Sequence, residues 1–240
     1  MATVFTLSGT FTRSLGTLPR LAIAPDHADK VAEWLFGSAY DPSGVQARFR
    51  GPLVPLPSMV GTPSVSARYT QADRTEGWDL GVTETAALTL LAVTAIVPSV
   101  TALQVPLGAL TTDTNAGAWV GIDATYGYAA AYNVSGSLAT AATGAGFGEP
   151  VFVAGATDAA GLSAWTASGG ALSAESVDST GTRTASGRDI KAHVHGNAGV
   201  TAESRLYYAA VYDGRLTEAE VAAAYAAVRA FLATQGVSVR

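Results

Sequence analysis

Ala209-Ala210-Val211-Tyr212-Asp213-Gly214-Arg215-Leu216-Thr217-Glu218-Ala219-Glu220-Val221 is the stretch on which the fold turns. Its first four residues close an apolar run that begins at Leu206 and reads as a strand. Asp213-Gly214 supplies turn residues. Thr217 is placed to N-cap a helix, and Glu220 three positions later completes a capping box. Glu218 and Glu220 fall in the first turn, where the helix dipole favours anions. Val221, Tyr225, Val228 and Phe231-Leu232 recur at steps of three and four, forming one apolar stripe, and Gly236 sits just past the end. Strand, turn and amphipathic helix therefore follow one another, with the helix predicted over 217–235. Its stripe has to be buried, and the preceding sheet is the nearest partner.

Upstream, the strand period dominates. Val65, Ala67 and Tyr69 alternate with Ser66, Arg68 and Thr70, which predicts a half-buried strand over 65–70. Trp78, Leu80 and Val82 repeat the pattern. Leu88 to Val97 is a nearly continuous apolar run, as in a central strand covered on both faces. Ala32-Glu33-Trp34-Leu35-Phe36 suits a strand, and Asp41-Pro42-Ser43-Gly44 a turn in which Asp bonds its own backbone, Pro presets φ and Gly takes positive φ. Further strands are predicted over 119–124, 126–134, 150–157, 162–167, 190–195 and 206–212, separated by Gly, Asn, Asp and Ser. Many short strands at near-regular spacing are the mark of a sandwich or barrel.

The 240 residues suffice for one such domain with a core of its own. There are no cysteines, which removes a disulfide framework, a thiolate zinc site and a cysteine nucleophile together. Charged residues make up only 14%, the net charge is −5, and no Lys/Arg cluster occurs, so no nucleic-acid partner is expected. The start, Met1-Ala2-Thr3-Val4-Phe5, has no basic n-region, and the apolar stretch at 86–97 is too short for a membrane span. No membrane partner is expected either.

The C-terminal stretch resembles concanavalin A-like lectin/glucanase domains of the laminin-G-like type. There a last jelly-roll strand ends in V-x-Y-D, and L-(S/T)-x-x-E-(I/V) opens a terminal helix. Val211, Tyr212, Asp213, Leu216, Thr217, Glu220 and Val221 match that pattern. Trp34-Leu35-Phe36 with Asp41-Pro42-Ser43-Gly44, the strand over 87–97 and Val151-Phe152-Val153-Ala154-Gly155 are similar to further family strands. The resemblance implies an all-β antiparallel jelly-roll sandwich with a C-terminal amphipathic helix. It covers roughly 30–236, leaving 1–29 as an N-terminal arm for assembly beside a domain over 30–240. The sequence lacks the cysteine and the calcium ligands of the better-known extracellular members. No cofactor is therefore assigned; calcium or a transition metal would need a ligand set the sequence does not spell out.

Candidate site residues are few. His193 and His195 are two apart in a predicted strand and so share a face. They are the candidate metal ligands, and three copies around an axis would multiply them into one cage; the alternative is a solvated strand face. Tyr126, Tyr128 and Tyr132 fall on one strand parity, forming an aromatic row that could stack on a sugar, with Asp123 and Asn133 to orient its hydroxyls. The same row would equally serve a core or a subunit interface. No strand carries the E-x-D-x-(x)-E run of the related glucanases, and Glu218 with Glu220 is explained by capping. There is no G-x-S-x-G either. The chain is thus expected to be non-catalytic. Members of the family occur in phage virions, and the absence of a signal peptide and of cysteines favours that setting. The expectation is a peripheral tail- or head-fibre protein, made in the host cytoplasm and carried on the virion. Its partners would be other virion proteins, further copies of itself (a trimer) and host-surface carbohydrate. The alternatives are a purely structural capsid decoration protein and a secreted carbohydrate-active enzyme.

Overall fold

Lys30–Phe36, the first strand (β1), shows how this chain distributes its apolar side chains. Trp34 and Phe36 point into one core cluster, and Leu35 between them points into another. Both faces of the strand are buried, so alternation sorts residues between two cores rather than between core and water. The computed structural model describes residues 22–25, 27–97, 102–110, 117–123, 126–133, 136–143, 150–168, 170–178 and 183–240, with backbone alone for 126–133, 136–143 and residue 168.

In chain order the remaining strands are β2 (Val45–Arg50), β3 (Ser58–Val60), β4 (Ser64–Val65), β5 (Thr70–Ala72), β6 (Gly77–Thr83), β7 (Leu88–Ile96) and β8 (Gln104–Gly108). They continue with β9 (Trp119–Ile122), β10 (Tyr126–Asn133), β11 (Gly136–Thr143), β12 (Val151–Thr157), β13 (Gly161–Ser168), β14 (Ala171–Asp178), β15 (Asp189–Ala192) and β16 (Ser204–Tyr212). One helix, α1 (Glu218–Thr234), follows. Sheet A runs β14-β13-β12-β7-β16-β1-β2, with the β4–β5 hairpin attached to β16; sheet B runs β11-β10-β9-β8-β15-β6-β3. Every pairing given for the two sheets is antiparallel. The chain is an all-β sandwich with one C-terminal helix.

Two large core clusters result, beside a small third one of Val105, Leu110 and Trp119. Between the sheets lie Trp34, Phe36, Trp78, Leu80, Leu90, Leu107, Val120, Ile122, Ile190 and Val211. Outside sheet A, Leu35, Leu91, Val93, Phe152, Trp165, Tyr208 and Tyr212 meet Val221, Tyr225, Val228 and Leu232 of α1. This explains why β7 and β16 read as continuous apolar runs: each is buried on both sides. The helix ends are built as their residues dictate. Thr217 accepts from the Glu220 amide, and Glu220 accepts from the Thr217 amide at 2.7 Å. At the other end the Gly236 amide donates to Ala233 O and that of Val237 to Leu232 O, a Schellman pair that needs the left-handed φ of +75° at Gly236. Under the preceding turn, the Thr89 hydroxyl donates to Gly214 O and accepts from the Leu216 amide.

Three expectations change. The strand predicted over 65–70 is a hairpin: the Ser66 amide donates to Tyr69 O, and β4 turns back into β5. The strand predicted over 190–195 stops at Ala192, because His193 takes a φ of +65°. The arm drawn as 1–29 is too long at its domain end. The wholly buried carboxylate of Glu33 accepts from the amides of Ile23 (2.9 Å) and Ala24 (2.7 Å) and from the Tyr208 hydroxyl (2.6 Å). The Lys30 ammonium in turn donates to Ala24 O. Residues 22–25 and 27–29 therefore belong to the folded body; residues 1–21 lie outside the described ones.

Candidate functional site

Sheet B has one face turned to the core and one turned away from it. On β15, Ile190 and Ala192 are core residues, so Asp189 and Lys191 point to the open face. On β6, Trp78, Leu80 and Val82 are core, which leaves Asp79 and Thr83 on that same open face. The strands pair Asp189 with Thr83 and Lys191 with Asp79, and the side chains follow the register. Thr83 Oγ1 donates to Asp189 Oδ1 at 2.8 Å, and Lys191 Nζ lies 3.6 Å from Asp79 Oδ2.

Beside β15 this face opens into a cleft of about 500 Å³. Arg188, Asp189, Lys191 and His195 are its polar lining, Ala109, Leu110 and Val194 its apolar lining, and Gly108, Gly187 and Gly196 leave bare backbone at the wall. Gly108 is required by close approach: a Cβ there would stand 2.3 Å from Trp119 Cβ, forcing β8 away from β9. A buried ion pair fixes the other wall. Glu84 accepts from the Arg183 guanidinium, the Ser186 hydroxyl and amide, and the Ala118 amide. Arg183 also donates to Thr85 O and Ala86 O. Loop 183–188, which delivers Arg188, is thus tied to both β6 and β9, and breaking such a pair is strongly destabilising.

His195 also lines the cleft. It is 7% exposed, its amide donates to Arg74 O, and its Nδ1 is enclosed without a partner. Burial, with the Arg74 charge nearby, holds its pKa down at about 4, so the ring is neutral at pH 7. His193 is a different object. It is buried against Trp78, its Nδ1 is 2.8 Å from Ser204 Oγ and its Nε2 is 3.0 Å from Thr70 Oγ1. Burial pushes its pKa to about 3. The two histidines do not form the shared strand face that was expected. The left-handed turn at His193 separates them, and both nitrogens of His193 are occupied by hydroxyls.

The aromatic row maps onto β10. Its backbone register sets Tyr128 opposite Gly121 and Ala130 opposite Trp119. The side chains of Tyr126, Tyr128, Tyr132 and Asn133 lie outside the described part of the structure. Asp123 follows β9 directly, is partly buried, and is not among the residues that line the cleft. Trp78, Trp119 and Trp165 are buried and offer no exposed ring face for stacking.

Two further clefts, of about 410 and 440 Å³, flank the segment over 53–59 that carries the exposed Leu53, Leu56 and Met59. In the second, the Asp41 carboxylate is occupied by the Ser43 amide and hydroxyl, and the Gln46 amide by Tyr40 O. Neither presents a buried, unpartnered polar atom comparable to His195 Nδ1.

The sandwich is similar to botulinum neurotoxin binding domains. The serotype G binding domain superposes with a TM-score of 0.58 at 9% identity, over 82% of this chain and 50% of that one. The serotype D binding domain gives 0.58 at 9%, over 82% and 51%. The receptor binding domain of the mosaic serotype C/D toxin gives 0.56 at 10%, over 82% and 50%. The chain thus spans about half the length of these structures, and at such identities the likeness to the neurotoxin domains is one of fold. No family model and no curated protein matches the sequence.

Of the polar residues lining the cleft, His195 was a candidate from the sequence, whereas Arg188, Asp189 and Lys191 were not. The alternation Asp189-Ile190-Lys191-Ala192 was the available signal: two charges on one side of a strand whose other side is apolar.

Proposed function

We propose that this chain is a non-catalytic glycan-binding sandwich domain that seats a saccharide in the cleft on the open face of sheet B. One observation carries the reading: Arg188, Asp189, Lys191 and His195 line a single cleft together with apolar residues. A sugar presents hydroxyls that donate and accept, on a frame of C–H groups. Asp189 accepts, Lys191 and Arg188 donate, and Leu110, Ala109 and Val194 meet the apolar side. Such a mix of few polar groups on apolar walls is the usual make-up of a small-molecule site. Asp189 is the one carboxylate among the lining residues, whereas glycoside cleavage uses two across the scissile bond. The reading is therefore reversible binding without turnover.

The resemblance to laminin-G-like lectin domains and the fold shared with receptor binding domains of neurotoxins support the same role. The setting we propose, on the resemblance alone, is a phage virion made in the host cytoplasm, where such a domain would touch the host surface. A glycan array probed with the whole chain and with a Lys191→Ala/Asp189→Ala variant tests the binding role. Glycans retained by the first and lost by the second are expected. An array on which the whole chain retains nothing would sink it.

A further inference from the structure

We infer that the saccharide taken by this cleft carries a carboxylate, gripped by the guanidinium of Arg188, with His195 bonding a neighbouring hydroxyl. The inference rests on the glycan-binding reading and narrows its ligand class. It begins from which groups in the cleft are already matched. Lys191 faces Asp79, and Asp189 holds the Thr83 hydroxyl. Arg188 uses its amide on Ser186 Oγ, but among the described residues its guanidinium has no hydrogen-bond or ion-pair partner. Of the charges lining the cleft, it is the one left open.

A guanidinium is a planar fork of parallel N–H donors, and its best complement is a planar carboxylate bound through both oxygens. A neutral sugar hydroxyl fills one prong only. His195 supplies the second observation. The residue is 7% exposed and lines the cleft, and because its Nδ1 is closed off from solvent, a ligand meets the ring through Nε2. Arg74 and Asp73 flank it with opposite charges. Being neutral at pH 7, it adds a hydrogen bond and no second charge, so the carboxylate selects for Arg188 and the hydroxyl for His195.

The test is an array in which each acidic glycan is printed beside its neutral form: uronic-acid oligomers beside the parent hexose oligomers, and sialylated glycans beside their desialylated cores. The full chain is measured together with Arg188→Ala and Arg188→Lys. Arg188 is exposed, so both variants are expected to melt with the parent. The expected result is preference for the acidic member by about tenfold or more, the scale of a hydrogen bond to a charged group. That preference should vanish in Arg188→Ala and be only partly restored in Arg188→Lys. Equal binding of acidic and neutral members overturns the carboxylate while leaving the glycan-binding reading intact. An acidic preference unchanged in Arg188→Ala overturns the assignment to Arg188. An array that retains no glycan at all overturns both readings.

Discussion

The two sheets of this sandwich are built to different rules. Sheet A is covered twice, by sheet B on one face and by α1 on the other, and its central strands β7 and β16 are apolar almost throughout. Sheet B is covered by sheet A on one face, and β6 and β15 alternate apolar with polar. The doubly covered sheet supplies stability, and the charged groups it buries, Glu33 and Lys30, are matched, Glu33 by the Tyr208 hydroxyl and Lys30 by Ala24 O. The singly covered sheet can spend its other face on charged side chains, and that is where the cleft lies. Function in this fold is thus available on the side that the helix does not occupy.

The largest effect expected is therefore on removing α1. A chain ending at Gly214 would leave Leu91, Val93, Phe152, Tyr208 and Tyr212 facing water, turning sheet A into a sheet with one open and strongly apolar face. Val221, Tyr225, Val228 and Leu232 each contribute about 1.5–3 kcal/mol by burial, together comparable to the roughly 5–15 kcal/mol of a whole domain. The truncated chain should fail to fold or aggregate, as judged by circular dichroism and light scattering. A soluble chain melting with the parent would break the comparison, since sheet A would then need no second cover.

A smaller, graded effect is expected from acid, and it locates the polar groups that sheet B's loops have buried. His193 and His195 have folded-state pKa values of about 3 and about 4, against an ordinary 6.5. Both are depressed, so the unfolded chain takes up protons that the folded chain refuses. Their stabilisation is complete above pH 6.5 and is lost as pH falls from there toward 4 and then 3. Each titrating histidine contributes a slope of up to about 1.4 kcal/mol per pH unit. Asp41 and Asp73 are also depressed, by bonds from Ser43 and Thr75. Asp158 is depressed from 3.8 as well and Glu220 from 4.5, and carboxylates begin to act about a unit above those values, so the window from pH 6.5 to 5.5 isolates the histidines. Urea midpoints across that window should fall with pH, and less steeply in His193→Gln. A flat profile would show that His193 is not held neutral between Thr70 and Ser204.

How far the sequence discloses this depends on the reach of each interaction. Thr217, Glu220 and Gly236 act within a few residues of where they stand, so the helix and both its ends were legible. The strands with clear alternation, Trp78-Asp79-Leu80 among them, were legible for the same reason. The hairpin at 64–72 was not, because one hydrogen bond between Ser66 and Tyr69 overrides a pattern that alternates straight through it. Glu33 sits unmarked inside Ala32-Glu33-Trp34-Leu35-Phe36; its partners Ala24 and Tyr208 come from opposite ends of the chain. The pair Glu84–Arg183, which fixes the cleft wall, spans 99 positions and leaves no local trace. The cleft is a product of such long-range pairings, and so its residues emerged only when the sheets were assembled.

The smallest effect expected is the one that tests whether the open face is free of structural duty. Lys191 and Asp79 stand 3.6 Å apart with roughly a third of each side chain exposed. Charges in that position are screened by water, and exposed pairs contribute about 0–1 kcal/mol. Lys191→Ala should therefore shift the urea midpoint very little. Ile190→Ala, one residue away on the same strand but in the core between the sheets, should cost about 2–5 kcal/mol. The two substitutions differ in which face of β15 they alter, so their ratio measures how different the two faces of sheet B are. Near-equal losses would mean that the polar face carries the fold as the apolar face does, and that the cleft is part of the scaffold. A near-silent Lys191→Ala that abolishes ligand retention would place its contribution in binding, with the face around it available for recognition at little cost to stability.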